Sequence, residues 1–176
     1  LAHALLSFDE RAQWRGLTGS VKRRRQWLFG RAAIKEAVRV LLYEQTGQLL
    51  YPSDITVVHD ANGAPLVDGW WCGVLADAPH VSLSHNDRAS LAVAATDCPV
   101  GVDLEDLGRI QRPELLADSL TRVERASLQG LQGEALEDRL LRFWCAKEAT
   151  AKRLGVGLGG SPDRFDVRFV DAGFGR

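Results

Sequence analysis

The sequence predicts an α+β fold, and three observations support this class. Apolar residues repeat at helical spacing between residues 22 and 47. They alternate in strand fashion at several places between residues 55 and 95. A second helical stretch, interrupted by a turn, follows between residues 124 and 155. A helix followed by strand signals therefore occurs on both sides of about residue 96.

The elements follow one another with clear boundaries. The first long helix is predicted from Lys22 to Gly47, because Leu28, Val38 and Leu42 share one face and glycine favours the position after a helix. The other predicted elements are, in order, a strand at 55–60 closed by an Asn-Gly turn, a short hairpin edge at 65–73, strands at 80–86 and 88–96 joined by a turn at Asn86 and Asp87, a strand at 100–107, a helix, turn and helix at 124–155, and a final strand after a glycine loop at 155–170.

Composition excludes several functional classes. With 176 residues, 45% of them hydrophobic, the chain is long enough to bury a sizeable core. A net charge of −1 predicts neither nucleic-acid nor membrane binding, and no apolar run approaches the roughly 20 residues of a membrane span. Three cysteines without CxxC spacing indicate reduced thiols in a cytoplasmic protein. Because the sequence starts at Leu1 and lacks methionine, we expect a trimmed protein or a domain excised from a larger one.

Two short segments carry most of the chemistry. In VGVDLEDL, Asp103 and Glu105 are two residues apart, so on the predicted strand they point to the same face. In FWCAKEATAKRLG, Glu148 lies one helical turn beyond Trp144 and continues an apolar stripe. Three carboxylates that converge in a partly buried place repel one another unless a cation lies between them. Mg²⁺ with oxygen ligands, and phosphates to complete its shell, is the usual solution.

These segments also carry a family resemblance. GVDLE followed by FWCAKEATAK resembles the paired signature of the 4'-phosphopantetheinyl transferases, in which G-(V/I)-D-x-E precedes W-x-x-K-E-A-x-x-K. Upstream, VSLSHNDRASLAVAA resembles the Ser-x-Ser-His segment of the larger, surfactin-activating class, and Gly63-Ala64-Pro65 lies where that class has Gly-Lys-Pro. The resemblance implies two similar lobes related by a pseudo-twofold axis, each a small antiparallel sheet packed with a long helix. We expect them at 1–96 and 97–176 of a single domain spanning 1–176.

The resemblance implies the transfer of phosphopantetheine from coenzyme A to a serine of an acyl or peptidyl carrier protein, with release of 3',5'-ADP. It assigns Asp103, Glu105 and Glu148 to Mg²⁺, for which Mn²⁺ is a substitute. Glu148 would also take the proton of the serine, a role that competes with metal binding because a metal-bound carboxylate is a poor base. Lys152, one turn after Glu148, would reach the phosphates; an ordinary solvated ion pair is the alternative.

Coenzyme A contacts follow from the same resemblance. His85 and Ser84 are expected at its phosphates. The basic run from Lys22 to Arg25 is the candidate grip for the nucleotide, together with Arg31 and Lys35 further along the helix, which are four residues apart and share a face. Alternatively, this run meets the acidic helix of a carrier protein.

One departure and two competing functions complete the interpretation. Ala64 replaces the phosphate-binding lysine of the family, which predicts weaker coenzyme A binding or compensation by another basic group such as Arg31. A non-catalytic coenzyme A-binding or carrier-docking module is the main alternative, and a Mg²⁺-dependent pyrophosphate hydrolase is a third. For the transferase we expect a monomer or a domain of a larger synthase, such as one for polyketide biosynthesis.

Overall fold

The computed structural model describes residues 2–75, 77–107, 116, 118–158 and 161–168. Among these residues the α+β class is confirmed, with small antiparallel sheets and two long helices. The helices and strands are, in order, α1 (Ala2–Leu5), α2 (Phe8–Gly16), α3 (Val21–Thr46), β1 (Thr56–His59), β2 (Pro65–Asp68), β3 (His80–His85), β4 (Ser90–Ala95), α4 (Arg122–Ala126) and α5 (Gly133–Leu154). Within these ranges, no helix is both long and apolar enough to cross a membrane.

Helix α3 begins and ends where its sequence dictates. The Ser20 hydroxyl accepts the amide of Arg23 at the N-terminus, and Gly47 adopts a left-handed conformation, with φ of 73°, at the C-terminus. The predicted helix is confirmed. Its face formed by Ile34, Val38 and Leu42 is fully buried.

Both hairpins are antiparallel and follow the predicted turns. In the turn between β1 and β2, the Asp60 carboxylate accepts the amides of Asn62 and Ala64, and Gly63 has a φ of 83°. Strands β3 and β4 pair over their full length, from His80 opposite Ala95 to His85 opposite Ser90. The hairpin edge predicted at 65–73 is β2 followed by a turn of 3₁₀ helix at Trp70–Gly73.

Both hairpins pack on α3. The main core joins its apolar face to Ile55, Val57 and Trp71, all at most 1% exposed. Gly30 of α3 allows close approach, since a Cβ there would lie 2.9 Å from a methyl group of Leu83 on β3. A second, smaller core joins α5 to the segment before α4 through Leu120, Leu140 and Phe143.

The predicted helix, turn and helix at 124–155 is confirmed as α4 and α5, and Gly155 ends α5 in a left-handed conformation. Three predictions about the C-terminal half are not. The segment 100–107 is not a strand: Ser82 accepts the amide of Val102, so a side chain takes the place of a ladder partner. Residues 161–168 form no strand, and 169–170 lie outside the described residues. No sheet is therefore described after residue 96, and the predicted second lobe with its own sheet is not confirmed.

The two halves nevertheless share a buried arrangement that the sequence analysis missed. Before each long helix stands a Ser/Thr-x-x-Glu capping box, in which the glutamate accepts the amide of the capping residue. Glu10 does so for Ser7, and Glu124 does so for Thr121. Each glutamate then forms a fully buried ion pair with a lysine of the following long helix, Lys35 of α3 or Lys147 of α5.

Candidate active site

Segment 100–107 lies directly against α5, so the two predicted motifs meet. A Cβ at Gly101 would lie 1.8 Å from the carbonyl oxygen of Ala149, so that only glycine allows this approach. Arg153 donates to the carbonyl of Pro99 at 3.0 Å, and Lys152 donates to that of Val102 at 3.0 Å. Side chains of α5 thus hold the backbone of the acidic segment in place.

Asp103 is the centre of the arrangement. Its side chain is 8% exposed, and its Oδ1 atom accepts hydrogen bonds from Ser84 Oγ at 2.9 Å and Lys152 Nζ at 2.7 Å. Among the described residues, no hydrogen-bond donor meets its Oδ2 atom. A buried carboxylate oxygen without a partner is costly, and a cation or a ligand hydroxyl would relieve that cost.

Burial and the negative charge of Asp103 both raise the pKa of the other two predicted acids, Glu148 and Glu105. Burial, and then the charge of Asp103, raises the pKa of Glu148, while Lys152 acts in the opposite direction. Burial also raises the pKa of Glu105, followed by repulsion from Asp103, Asp106 and Glu148. The carboxylates therefore form one coupled electrostatic cluster with an excess of negative charge.

Cys145 faces the same cluster. Burial is the main reason that the pKa of its thiol rises to about 12, and the negative charges of Asp103 and Glu105 add to it. The thiol therefore stays protonated at neutral pH and is a poor nucleophile there. None of the three cysteines forms a disulfide, as expected for reduced thiols.

The three carboxylates are chemically suited to bind a hard divalent cation, although their side chains do not converge on one position. Carboxylate oxygens are the preferred ligands of Mg²⁺, and the unpartnered Oδ2 atom of Asp103 offers one. Yet within the described ranges, no three His, Cys, Asp or Glu side chains are arranged to hold a metal ion. The predicted trio of Asp103, Glu105 and Glu148 is thus close enough to interact electrostatically but is not a preformed ligand cage. The ion pair of Lys152 with Asp103 supplies part of the missing positive charge.

A cavity of about 240 Å³ lies between α3 and the hairpins. His85, exposed at the end of β3, lines it together with Arg23, Trp27, Arg31 and His59. The guanidinium of Arg31 lies 3.5 Å from the centre of the Trp27 ring, and burial lowers its pKa to about 10. Burial followed by the charge of Arg31 lowers the pKa of His59. This concentration of basic groups suits an anion.

Three predicted coenzyme A contacts need correction or redistribution. Lys35 is completely buried, and its ammonium group pairs with Glu10 and donates to the carbonyl of Leu5. It therefore cannot bind a nucleotide. Ser84 is buried with its hydroxyl on Asp103. Arg25 is exposed but lines a different groove from Arg31, and Gln26 of α3 lines both. Sequence spacing placed Arg31 and Lys35 on one face correctly, but it did not reveal that this face turns inward.

Glu10 and Glu124 are the important residues that the sequence analysis did not single out. The Ser/Thr-x-x-Glu pattern at 7–10 and 121–124 could have found both glutamates, because it predicts a capping box. For Lys147, next to Glu148 in the motif, the sequence favours neither a supporting nor a solvated role. It is fully buried, and besides its ion pair it donates to the carbonyls of Pro162 at 2.9 Å and Phe165 at 2.7 Å.

Comparison with known proteins agrees with this geometry. Residues 99–176 match the family model of the 4'-phosphopantetheinyl transferase superfamily. A holo-[acyl-carrier-protein] synthase of Levilactobacillus brevis is 35% identical over 81 residues, which are 43% of this chain and 66% of that protein. A second such synthase, from Limosilactobacillus fermentum, is 29% identical over 82 residues, or 44% of this chain and 69% of that protein. The chain thus spans just under two thirds of the first relative's length. The residues matched by the family model include the acidic segment and α5.

Proposed function

We propose that this protein transfers the 4'-phosphopantetheine group from coenzyme A to a serine of an acyl or peptidyl carrier domain. One observation carries the proposal. Gly101 lets the GVDLE segment lie against the helix that carries Glu148 and Lys152, so that acids from two distant motifs form one coupled cluster. The superfamily match over residues 99–176 covers both motifs.

Asp103, Glu105 and Glu148 would hold a divalent cation, with Mg²⁺ as the first choice and Mn²⁺ as a substitute. When bound, the cation neutralises charge on the pyrophosphate and thereby stabilises the transition state. Lys152 neutralises Asp103 in the free protein. In the complex it is free to turn to a phosphate, because its side chain is 32% exposed and its amine is a mobile point charge.

The remaining chemistry falls to Glu148. Burial and the charge of Asp103 raise its pKa, which makes its carboxylate a stronger base than that of an ordinary glutamate. It accepts the proton of the carrier serine, directly or through water. The serine oxygen forms a bond to the β-phosphorus of coenzyme A. The bond from that phosphorus to the bridging oxygen breaks, and 3',5'-ADP leaves with the electron pair.

The basic cavity between α3 and the hairpins provides the coenzyme A phosphate site in this proposal. His85 and Arg23 line it and would contact the phosphates. Arg31 also lines it, but its guanidinium is buried and already pairs with Glu10 at 3.3 Å, so it compensates only in part for the lysine that Ala64 replaces. Ala64 itself lies in the exposed turn between β1 and β2. Because coenzyme A and carrier domains are cytoplasmic, we expect the protein to act there, as a stand-alone monomer or as part of a synthase such as a polyketide synthase.

Mass spectrometry of an apo carrier domain, after incubation with this protein, coenzyme A and Mg²⁺, tests the proposal. We expect an added phosphopantetheine group, and a rate at least about 100-fold lower for Glu148→Gln, because the base is then lost. Glu36→Gln is the matched control, since Glu36 occupies the same place in the Lys-Glu-Ala triplet of α3 but pairs with Arg39 at the surface. No adduct on several carriers, with coenzyme A still bound in calorimetry, would instead indicate a non-catalytic binding module.

A further inference from the structure

Strand β3 presents its two faces to different neighbours. Leu83 points towards α3, where it meets Gly30. Ser82 and Ser84 lie on either side of Leu83 in sequence and therefore point to the opposite face. Both serines are buried, with exposures of 5% and 8%. Because a buried hydroxyl is costly unless it is hydrogen-bonded, the partners of these serines show what this face of the strand does.

The partners of both serines belong to the acidic segment 100–107. The Ser82 hydroxyl accepts the amide of Val102 at 3.1 Å. The Ser84 hydroxyl donates to Oδ1 of Asp103 at 2.9 Å. Two neighbouring positions on one face of β3 therefore hold two successive residues of the acidic segment, one through its backbone and one through its side chain.

Asn86, which begins the turn between β3 and β4, adds a third bond to this segment. Its side-chain oxygen accepts the amides of Arg88 and Ala89, each at 2.8 Å. Its side-chain nitrogen donates to Asp106 at 3.0 Å. The turn thus orients the amide group of Asn86. Side chains at three alternate positions hold the acidic segment in the place of the backbone ladder that a paired strand would supply.

The two donors to Asp103 differ in their freedom to move. Both Ser84 and Lys152 donate to the Oδ1 atom, at 2.9 Å and 2.7 Å. The Lys152 side chain is 32% exposed and flexible, whereas Ser84 is buried on a paired strand. In the described part of the chain, Oδ2 of Asp103 has no hydrogen-bond partner. When Lys152 turns to a phosphate, Ser84 remains on Oδ1 and keeps the carboxylate in its orientation.

We propose that Ser84 is a positioning residue whose hydroxyl holds Oδ1 of Asp103, so that Oδ2 stays available to a divalent cation. The inference rests on the proposed transferase function and refines its metal site. It also gives Ser84 a different role from the one that the family resemblance implies, which is contact with the phosphates of coenzyme A. Because Ser84 acts through Asp103, loss of its hydroxyl should weaken metal binding and leave metal-free binding of coenzyme A intact.

The test uses two binding measurements that require no transfer. The first is the rise in melting temperature during titration with Mg²⁺, and the second is the calorimetric Kd for coenzyme A without a divalent cation. In Ser84→Ala we expect the half-saturating Mg²⁺ concentration to rise about tenfold to 100-fold, the usual range when a residue that orients a metal ligand is lost. The Kd for coenzyme A should stay unchanged.

Ser84→Thr and Ser90→Ala are the matched controls. Threonine keeps a hydroxyl at the same strand position, so Ser84→Thr should restore most of the wild-type response to Mg²⁺. Ser90 lies opposite His85 at the end of the same hairpin, on the face that Ser84 does not share. Ser90→Ala therefore removes a hydroxyl from β4 without touching Asp103 and should change neither measurement.

The outcomes separate this inference from the proposed function. An unchanged half-saturating Mg²⁺ concentration in Ser84→Ala, or equal impairment in Ser84→Thr, would overturn the positioning role. Weaker metal-free binding of coenzyme A by Ser84→Ala would also overturn it, because the hydroxyl would then contact the substrate. If the wild type transfers nothing but the Mg²⁺ responses follow the expected pattern, the proposed function fails and the positioning role stands. A wild type that does not respond to Mg²⁺ would overturn the positioning role.

Discussion

The two long helices of this protein are anchored by the same kind of buried ion pair, but the glutamate that follows the buried lysine has a different environment in each helix. Each carries a Lys-Glu-Ala triplet, at 35–37 in α3 and at 147–149 in α5. In each triplet the lysine is completely buried and pairs with the glutamate of the preceding capping box. The second oxygen of that glutamate accepts a backbone amide from an extended segment, Val57 in one case at 3.1 Å and Val167 in the other at 2.8 Å.

The next residue of the triplet separates the two helices. Glu36 is 62% exposed and pairs with Arg39 on its own helix. Glu148 is half-buried, and its pKa is raised by burial and by Asp103. The helices themselves place the two glutamates alike. What differs is that the segment 100–107 lies on α5, so the special environment of Glu148 comes from that segment.

The largest effect is expected where the two helices are most alike. Lys147→Met leaves the buried carboxylate of Glu124 without the cation with which it pairs. Breaking a buried pair in this way costs about 3–5 kcal/mol. Denaturant unfolding should show a loss of this size in Lys147→Met and a smaller loss in Lys35→Met, because Glu10 keeps Arg31 at 3.3 Å. A loss below about 1 kcal/mol in Lys147→Met would contradict the anchoring role of its ion pair.

The next prediction tests the segment that makes the helices different. In Gly101→Ala the new methyl group meets the backbone of α5, which cannot move aside, so the acidic segment must shift. A displacement of about 1 Å at a catalytic site costs about 100-fold in rate. We expect that loss in carrier-modification assays, with a folded protein by circular dichroism.

Gly30→Ala is its matched control on α3. The nearest atom there belongs to the flexible side chain of Leu83 rather than to backbone. Leu83 can turn away, so transfer should fall by less than about fivefold. Equal losses in the two variants would contradict the special role of the approach between Gly101 and Ala149.

Much of the fold could be predicted from sequence, because α3 and α5 carry strong periodicity, a capping serine on α3 and a terminal glycine on each. The Asn-Gly turn and the pairing of β3 with β4 were equally clear. The segment 100–107 was not, since its alternation is that of a strand while its partners are side chains such as Ser82 and Lys152. Local pattern cannot report such tertiary partners.

The same reasoning explains the errors at the site. The motifs single out Asp103 and Glu148, and the structure brings their segments together, while their roles towards ligands stay predictions. Lys35 was misjudged because a lysine on a helix is usually solvated, and only its buried partner Glu10 shows otherwise. The roles of Glu105, His85 and Arg31 towards ligands stay predictions.

The smallest expected effect is a change in melting temperature when the charge of Glu105 is removed. Glu105 has a pKa raised above its ordinary 4.5, so between these two values the folded state binds more protons than the unfolded state. Stability therefore falls as the pH rises through that window. Glu105→Gln removes the charge, so at pH 7 the variant should melt at a slightly higher temperature than the wild type, and below pH 4 the difference should vanish.

Two comparisons sharpen this last prediction. Glu36→Gln, on the equivalent turn of α3, removes a charge that pairs with Arg39 and should give no stabilisation at pH 7. Added Mg²⁺ should stabilise the wild type, whose carboxylates gain a cation, and should reverse its order with Glu105→Gln. If Mg²⁺ left both melting temperatures unchanged, Glu105 would be only one repelled charge among several. Lys152 would then be the cation that neutralises the cluster around Asp103, just as Arg39 neutralises Glu36 on α3. In that case the sites on the two helices would differ less than their surroundings indicate.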